Sequence, residues 1–573
     1  MAGRQVLERA IALHGAGRPA EAEPLYRRVL ADRPRDATAL HCLGLLLHQT
    51  GRSDQAAPLL TRAAAATPDN PDTHELLALV LRRLGRTDEA VAAWRRALAL
   101  KPANPQARVA LGNALADLGR PGEAAECFRA ALAASPASPE AHAGLGNVLL
   151  DQGRPDEAVA SFAAAIRLRP GFAAAHNSLG VAHFEARRLD EAVACFREAI
   201  RLEPGFAEAH NNLGAVLDER HEAEAAIAAL RRAVELRTDY PDAHYHLAVA
   251  LLRQGEYVEG WAEYEWRRRK PGFPRRDPAI PEWRGEALAG RTVLAYAEQG
   301  LGDGLQFLRY APLLAARGAR VLVEVPAPLV RLAASAGGVA GVVAAGAPPP
   351  PCDLQVPLMS LPHLLGTRMD SVPADVPYLH ADPAQVAEWG DRLAGLPGLK
   401  VGLAWSGAPR PHDRQSHLVD CRRSLRLEQF APLAGLPGLS LVSLQKGEAA
   451  AQTPPPGLAL FDPMDRVADF ADTAALVANL DLVVSVDTSV AHLAGAVGRP
   501  LWLLSRFDGC WRWLADRADS PWYPTARLFR QTRPGDWAPV VAALAAALAR
   551  LPRPAPGENA LSDYAAQTEA PSP

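Results

Sequence analysis

Three short polar loops in the C-terminal part of the chain carry residue types suited to binding a diphosphate. They are Ser406-Gly407, Gln445-Lys446-Gly447-Glu448 and Asp487-Thr488-Ser489, and each follows a predicted buried strand. Helix N-termini that follow such strands offer free backbone N–H groups and a favourable dipole. Ligands of doubly wound sheets bind beyond the carboxyl ends of the strands. The three loops therefore predict one anion-binding edge.

The side chains of these loops suggest separate roles. Thr488 and Ser489 add hydroxyls to the N–H groups at the start of a helix. Lys446 is one of only four lysines in the chain and is suited to neutralise a phosphate. Gln445 or Glu448 is suited to accept ribose hydroxyls. Plain helix capping and a solvated loop lysine are the alternatives.

A glycine-rich turn, "GLGDG", precedes a predicted amphipathic helix. Its glycines, Gly300, Gly302 and Gly304, alternate, so the turn is neither G-x-G-x-x-G nor a P-loop. Asp303 lies where a helix cap would lie. The functional interpretation is a cleft carboxylate that takes a proton from an acceptor hydroxyl, and capping is the alternative.

The elements that position these loops alternate between strands and helices from about Pro281 onwards, as in "RTVLAYAEQ" and "ARVLVEVP". This alternation predicts a mostly parallel sheet covered on both faces. A second unit begins near Leu399. We therefore predict two doubly wound lobes, residues 283–390 and 398–550, with a cleft between them. Residues 553–573 have the composition of a disordered tail.

The first half of the chain is an internal repeat. Eight contiguous segments of 34 residues begin at Gln5, Ala39, Thr73, Ala107, Ala141, Ala175, Ala209 and Ala243. A small residue recurs in each where two helices must touch, a G-R turn breaks the first helix, and a proline ends most second helices. The pattern predicts an α-solenoid over residues 5–276, with a concave groove.

Two further features of the repeats need an interpretation. The last repeat crowds in Trp261, Tyr264 and Trp266, which we expect to cover the end of the array and to dock it on the next domain, with a ligand role as the alternative. Histidines recur at one position of successive repeats, and we expect them to pack between helices rather than to bind metal; they are His142, His176, His210 and His244.

Composition excludes several classes of protein. The formal net charge of −3 gives no electrostatic case for nucleic acid or an anionic membrane. The six cysteines form no C-x-x-C pair, which favours reduced thiols in a cytoplasmic protein. The N-terminal segment lacks the apolar block of a signal peptide, and the longest apolar run is too short to span a bilayer. No D-x-D metal motif lies near the three loops predicted to bind a diphosphate.

The repeats resemble the tetratricopeptide repeat, and by that resemblance the groove is expected to hold a protein partner. The stretches "QGLGDGLQFLRYAPLL" and "VVSVDTSVAHLAGAVGRPLWLL" resemble the signature regions of glycosyltransferase family 9, the ADP-heptose:lipopolysaccharide heptosyltransferases. The resemblance covers roughly residues 290–545. It implies a GT-B fold of two Rossmann-like lobes and metal-independent, inverting transfer of a sugar from a nucleotide-sugar donor.

Individual site residues also follow from the resemblance to family 9. Asp303 matches the general-base candidate, and Asp487 and Thr488 match sugar-nucleotide residues, with His492 in the helix below. Arg423 falls near the family's donor-phosphate lysine. An arginine keeps the positive charge of that lysine but not its compact, point-like ammonium group, so the identity of the donor is left open. The aromatic, arginine-rich segment at residues 505–524 either closes the donor pocket or packs between the lobes.

Three functions remain open at the level of sequence. The first is a glycosyltransferase, with no cofactor besides its nucleotide-sugar substrate, whose array helps to select a protein or glycan acceptor. The second is an enzyme like protein O-GlcNAc transferase, although the groove positions that carry its asparagine ladder hold only one asparagine here, Asn212. The third is a non-catalytic adaptor.

Overall fold

The computed structural model describes residues 2–274, 276–409 and 414–552. It forms two compact units, Met1–Val216 and Leu217–Pro573. The predicted disordered tail, residues 553–573, lies outside the described residues. The predicted domain limits at 276, 390 and 550 remain predictions, and one helix, Pro383–Leu393, runs across the second of them.

Sixteen helices in consecutive pairs make up the repeat array over the described residues. They are α1 Ala2–Gly15, α2 Pro19–Asp32, α3 Ala37–Gln49, α4 Ser53–Ala66, α5 Pro71–Arg83, α6 Thr87–Leu100, α7 Pro105–Asp117, α8 Pro121–Ala134, α9 Pro139–Asp151, α10 Pro155–Leu168, α11 Ala173–Glu185, α12 Leu189–Leu202, α13 Ala207–Glu219, α14 Ala223–Leu236, α15 Pro241–Gln254 and α16 Tyr257–Tyr264. The predicted solenoid of eight helix pairs is confirmed. In repeats two to eight the first helix begins two residues before the predicted repeat start, as at Ala37 and Pro71, because a period alone does not fix where a repeat begins.

Small residues bring the two helices of a repeat together, as the sequence predicts. A Cβ added at Gly146 would lie 2.7 Å from the ring of Phe162, and one at Gly180 would lie 2.6 Å from that of Phe196. The turn between paired helices needs a left-handed residue, which is Gly153 in repeat five, with φ of 73°. Repeats six and seven place Arg187 and His221 at the same position, with φ of 62° and 63°.

The recurring histidines link successive repeats through hydrogen bonds to backbone carbonyl oxygens. The Nε2 atoms of His142, His176 and His210 donate to the carbonyl oxygens of the prolines six residues earlier, at 3.1, 3.0 and 3.1 Å. His244 donates in the same way to Thr238. No cluster of three or more metal-binding side chains occurs among the described residues.

Ten parallel strands, within the described residues, form two sheets in the second unit. They are β1 Thr292–Tyr296, β2 Arg320–Val325, β3 Val339–Ala344, β4 Leu354–Pro357, β5 Leu399–Ala404, β6 Leu439–Ser443, β7 Leu460–Phe461, β8 Leu482–Val486, β9 Leu501–Ser505 and β10 Ala526–Arg530. The first sheet has the order β3-β2-β1-β4 and the second β10-β9-β8-β5-β6-β7. The predicted two-lobed α/β fold is confirmed.

The helices of the α/β region alternate with the strands. They are α17 Leu301–Phe307, α18 Ala311–Ala316, α19 Val330–Ala333, α20 Leu361–Leu364, α21 Pro383–Leu393, α22 Arg414–Arg423, α23 Phe470–Val477, α24 Ser489–Ala496 and α25 Ala538–Arg550. Sequence analysis missed β10 and α22. The strand β10 carries Arg527 and Arg530, which interrupt its apolar run, and α22 is so polar that it has no apolar periodicity to reveal it.

The last repeat docks on the α/β region through aromatic side chains. Trp261 packs edge-on against Trp511, with ring centroids 5.1 Å apart. Tyr257 accepts a hydrogen bond of 2.9 Å from the indole of Trp522. These side chains share one apolar core with both lobes. The docking role predicted for Trp261 therefore holds, and the segment containing Trp511 and Trp522 packs between domains.

The other two aromatic residues of that repeat behave differently from each other. Tyr264 is buried and joins the same core. Trp266 instead stacks on His244, with parallel rings 3.8 Å apart, and so stays within the repeat.

Candidate functional site

The three predicted loops meet at one edge of the larger sheet. Strands β8, β5 and β6 are neighbours and run parallel, so their carboxyl ends open on the same side. Ser406, Lys446 and Thr488 each follow one of these ends within three residues. The structure thus brings the predicted donor loops together, because sequence-distant strands become adjacent in a doubly wound sheet.

Gln445 is the link between two of these loops. Its Oε1 accepts the N–H groups of Trp405 and Ser406, at 3.0 and 2.9 Å. Its Nε2 donates to the carbonyl oxygens of Ser406 and Lys446, both at 3.0 Å. Both the oxygen and the nitrogen of the Gln445 amide are hydrogen-bonded to backbone groups, and the side chain is buried. Gln445 therefore stabilises the edge of the site and is not positioned to bind a ribose.

Arg423 reaches the same edge from the end of α22. Its Nη1 donates to the carbonyl oxygen of Asp487 at 2.7 Å, and its Nη2 pairs with Asp420 at 2.5 Å. A Cβ on Gly407 would lie 2.7 Å from the guanidinium, so a glycine is needed there. The Gly407 N–H donates to the hydroxyl of Ser424 at 3.1 Å. The arginine that resembles the donor-phosphate lysine is thus fixed between two of the loops.

Asp487 and His492 form a buried polar pair below the edge. The Oδ1 atom of Asp487 accepts a 2.8 Å hydrogen bond from the indole of Trp513 and lies 3.9 Å from Nε2 of His492. The other ring nitrogen of His492 lies 3.0 Å from the hydroxyl of Tyr523. Burial lowers the pKa of His492 to about 4, so the ring is neutral at pH 7. Burial raises the pKa of Asp487, but His492 and Arg423 outweigh it and the net shift is downward.

Thr488 and Ser489 open α24. Thr488 is the N-cap residue, but its side chain makes no capping bond and instead lies 3.1 Å from the hydroxyl of Ser485. Side-chain capping is therefore not the role of this threonine. Both Thr488 and Ser489 are partly exposed.

Lys446 and its neighbours lie on the outer loop of this edge. The Lys446 amine donates to the carbonyl oxygen of Val467, which holds it towards the loop before α23. Gly447 is left-handed, with φ of 77°, and Glu448 is exposed at the start of a short 3-10 helix. The structure shows no contact between Lys446 and Thr488.

Asp303 faces this edge from the other lobe. Its Oδ2 accepts the Gly300 N–H at 2.9 Å, so the carboxylate caps α17. Its Oδ1 pairs with Arg512, which the sequence analysis did not single out. The lobes approach closely here, since a Cβ on Gly302 would lie 2.7 Å from the ring of His492.

Arg512 and Trp513 are the site residues that sequence reasoning missed. The only signal was the arginine-rich, aromatic character of residues 505–524. Arg512 bridges the lobes through Asp303 and lies over the ring of Trp511, 4.2 Å from its centroid. Trp513 reaches Asp487. Neither pairing is visible in the sequence, because the partners come from different lobes or from distant loops of the same lobe.

Comparison with known proteins separates the two halves of the chain. The profile described as "Tetratricopeptide repeat" matches residues 7–71, 76–139 and 144–205, and "TPR repeat" matches 219–255. The array is built of tetratricopeptide repeats. The profile described as "Glycosyltransferase family 9 (heptosyltransferase)" matches residues 468–504, which contain Asp487, Thr488 and His492. The match thus covers the stretch from α23 to β9 and not the whole α/β region.

One curated relative is Protein FlbA of Caulobacter vibrioides, 31% identical over 330 residues. The match covers 52% of this chain and 54% of the relative, so the chain spans about half the length of that protein. Similar solved structures include MamA, 25% identical, covering 29% of this chain and 92% of MamA with a TM-score of 0.28. A tetratricopeptide repeat protein from Parabacteroides merdae is 18% identical, covering 44% and 98% with a TM-score of 0.37.

Among the described residues, every helix falls short of the length and apolar character that crossing a bilayer requires.

Proposed function

We propose that the chain is a glycosyltransferase that moves a sugar from a nucleotide-sugar donor to an acceptor hydroxyl. The observation that carries the proposal is the convergence of three strand-ending loops on one edge of the larger sheet, facing Asp303 of the other lobe. The family 9 match covers one of these three loops, Asp487-Thr488-Ser489. The tetratricopeptide array would help to select a protein or glycan acceptor.

In this proposal the donor diphosphate lies against the N-terminal N–H groups of α24, beside Thr488 and Ser489. Arg423 and Arg512 supply positive charge at the edge, and oriented donors of this kind stabilise a leaving diphosphate without reorganising. Asp303 takes the proton of the acceptor hydroxyl, whose oxygen attacks the anomeric carbon. The bond from that carbon to the diphosphate breaks, which inverts the anomeric configuration.

Binding of nucleoside diphosphates tests the donor site. Calorimetry of the full chain with UDP, GDP, ADP and CDP should show one of them binding at micromolar to millimolar concentration. Absence of binding by all four to a folded protein would contradict the proposal. The same screen identifies the base of the donor.

Asp303→Asn tests the base. Asparagine can still accept the Gly300 N–H and cap α17, but it cannot take a proton. We expect turnover of the bound donor to fall about 10²–10⁴-fold. Thermal stability should also fall, because the substitution leaves the largely buried Arg512 guanidinium without its carboxylate partner. Asp469→Asn is the matched control, because Asp469 also caps a helix and pairs with an arginine, Arg331. Unchanged turnover in D303N would refute the assignment of the base.

An adaptor without catalysis is the second candidate, and one observation favours it. The polar side chains of the edge are engaged with one another: Asp303 with Arg512, Asp487 with Trp513, and Lys446 with the Val467 carbonyl. A protein that binds a partner through its repeats but turns over no sugar nucleotide would support the adaptor.

A further inference from the structure

The loop of residues 506–516, here called the arginine loop, carries both side chains that close the candidate site. Arg512 pairs with Asp303, and Trp513 donates to Asp487. The conformation of this loop therefore decides whether the carboxylates of the two lobes have their partners.

The backbone of the arginine loop is strained. Leu514 has φ of 54° and ψ of 179°, a region that residues other than glycine seldom adopt, and Asp516 has φ of 49°. Such conformations persist only when the surrounding structure holds them in place. Another part of the molecule must therefore hold the arginine loop in this conformation.

Arg253, at the end of α15 in the last repeat, makes two contacts with the arginine loop. Its carbonyl oxygen accepts the Ala515 N–H at 3.0 Å, and its guanidinium donates to the Gly509 carbonyl at 3.4 Å. Asp218 holds the guanidinium in place: the Asp218 carboxylate lies 3.2 Å from it, and the Asp218 carbonyl oxygen accepts a hydrogen bond from it at 3.0 Å. The Arg253 side chain is 8% exposed, so this anchor is shielded from water.

The neighbouring turn of repeat seven holds the other end of the loop. His221 donates from Nε2 to the carbonyl oxygen of Phe507 at 2.8 Å, and the two rings meet edge to face at 4.5 Å. Glu219 pairs with Arg422 at 2.9 Å, and Arg422 pairs with Asp508 at 3.1 Å. Repeat residues thus contact the loop at both of its ends.

We propose that the last two repeats position the arginine loop, and that Arg253 is a positioning residue of the candidate site that acts through Arg512. The array is then a structural part of the site and not only an appended recognition module. The consequence for nucleotide binding rests on the proposed function; the positioning of the loop does not.

Hydrogen–deuterium exchange of the full chain tests the positioning directly. Arg253→Met should make peptides of residues 506–516 exchange at least ten times faster. Arg253→Lys should give an intermediate rate, because lysine keeps the positive charge but lacks the planar guanidinium that donates to two partners at once. Arg82→Met is the matched control, since Arg82 pairs with Asp117 at 3.1 Å between two repeats of the first unit. Wild-type exchange of the loop in R253M would overturn the inference.

A double-mutant cycle tests whether Arg253 acts through Arg512. The probe is whichever of UDP, GDP, ADP or CDP the wild type binds. R253M and R512A should each raise its Kd about tenfold, and the double variant should bind no more weakly than R512A alone. Additive losses would overturn the positioning role. If the wild type binds none of the four, the proposed function fails, and hydrogen exchange alone decides this inference.

Discussion

The close approach of the two lobes at Gly302 can be tested by adding one methyl group. In Gly302→Ala the new Cβ would lie 2.7 Å from the His492 ring, about 1 Å inside an ordinary carbon contact. The ring cannot move aside freely, because its Nδ1 lies 3.0 Å from the Tyr523 hydroxyl and it stacks on Trp513. Overpacking of this kind costs roughly 1–3 kcal/mol.

Gly304→Ala is the matched control in the same helix. Its Cβ would meet the end of the flexible Leu329 side chain at 3.0 Å and would lie in ordinary contact with Ala297 at 3.8 Å. Both variants gain about the same helix propensity, up to ~1 kcal/mol, so the difference between them isolates the clash. We expect the second unit of G302A to melt roughly 2–8 °C below that of G304A, measured by differential scanning fluorimetry.

A second variant separates the clash from other effects of the alanine. His492→Ala removes the ring that the new methyl group would meet, so G302A should cost little in that background. If G302A were as stable as G304A, or if the costs of G302A and H492A were additive, Gly302 would not lie against His492. The description of how the lobes meet would then be wrong.

Three further outcomes are expected. The pKa of His492 is about 4 in the folded protein and 6.5 for an ordinary histidine, so the unfolded chain binds a proton at this residue at a higher pH than the folded protein does. The free energy of unfolding should therefore fall by about 3 kcal/mol as the pH drops from 6.5 to 4. The Tm of H492N should depend less on pH over that interval. Tyr257→Phe removes the acceptor of the Trp522 indole and should destabilise the docked repeat by about 1–3 kcal/mol, seen as faster hydrogen exchange of α16. Gly146→Val should lower the Tm of the first unit by overpacking at about 1–3 kcal/mol, whereas Gly171→Ala, which meets nothing within 4 Å, should change it by no more than about 0.5 kcal/mol.

The sequence predicted where most of the candidate site lies, but not which partners its side chains have. The alternation of strands and loops predicted that Ser406, Lys446 and Thr488 would share one edge, and strand order confirms it. The roles of individual side chains were harder to predict. The amide of Gln445 forms hydrogen bonds with backbone groups, and the amine of Lys446 donates to a carbonyl oxygen on a distant loop. Such partners depend on loop conformation, which local sequence does not fix.

The repeat array was determined by the sequence itself. A period of 34 residues with small residues, turns and prolines at fixed positions specifies helix pairs that pack on their nearest neighbours, so local information suffices. The same holds for most of the parallel strands of the α/β region, which are short apolar runs bounded by turns.

Only the tertiary structure decided how the candidate site is closed. Arg512 meets Asp303 across the lobes, Trp513 meets Asp487, and Arg253 holds the loop between them from the last repeat. These partners are separated by 26 to 256 residues in the chain. No periodicity links residues so far apart, because the contact arises from the packing of whole elements and not from the spacing of residues along one of them.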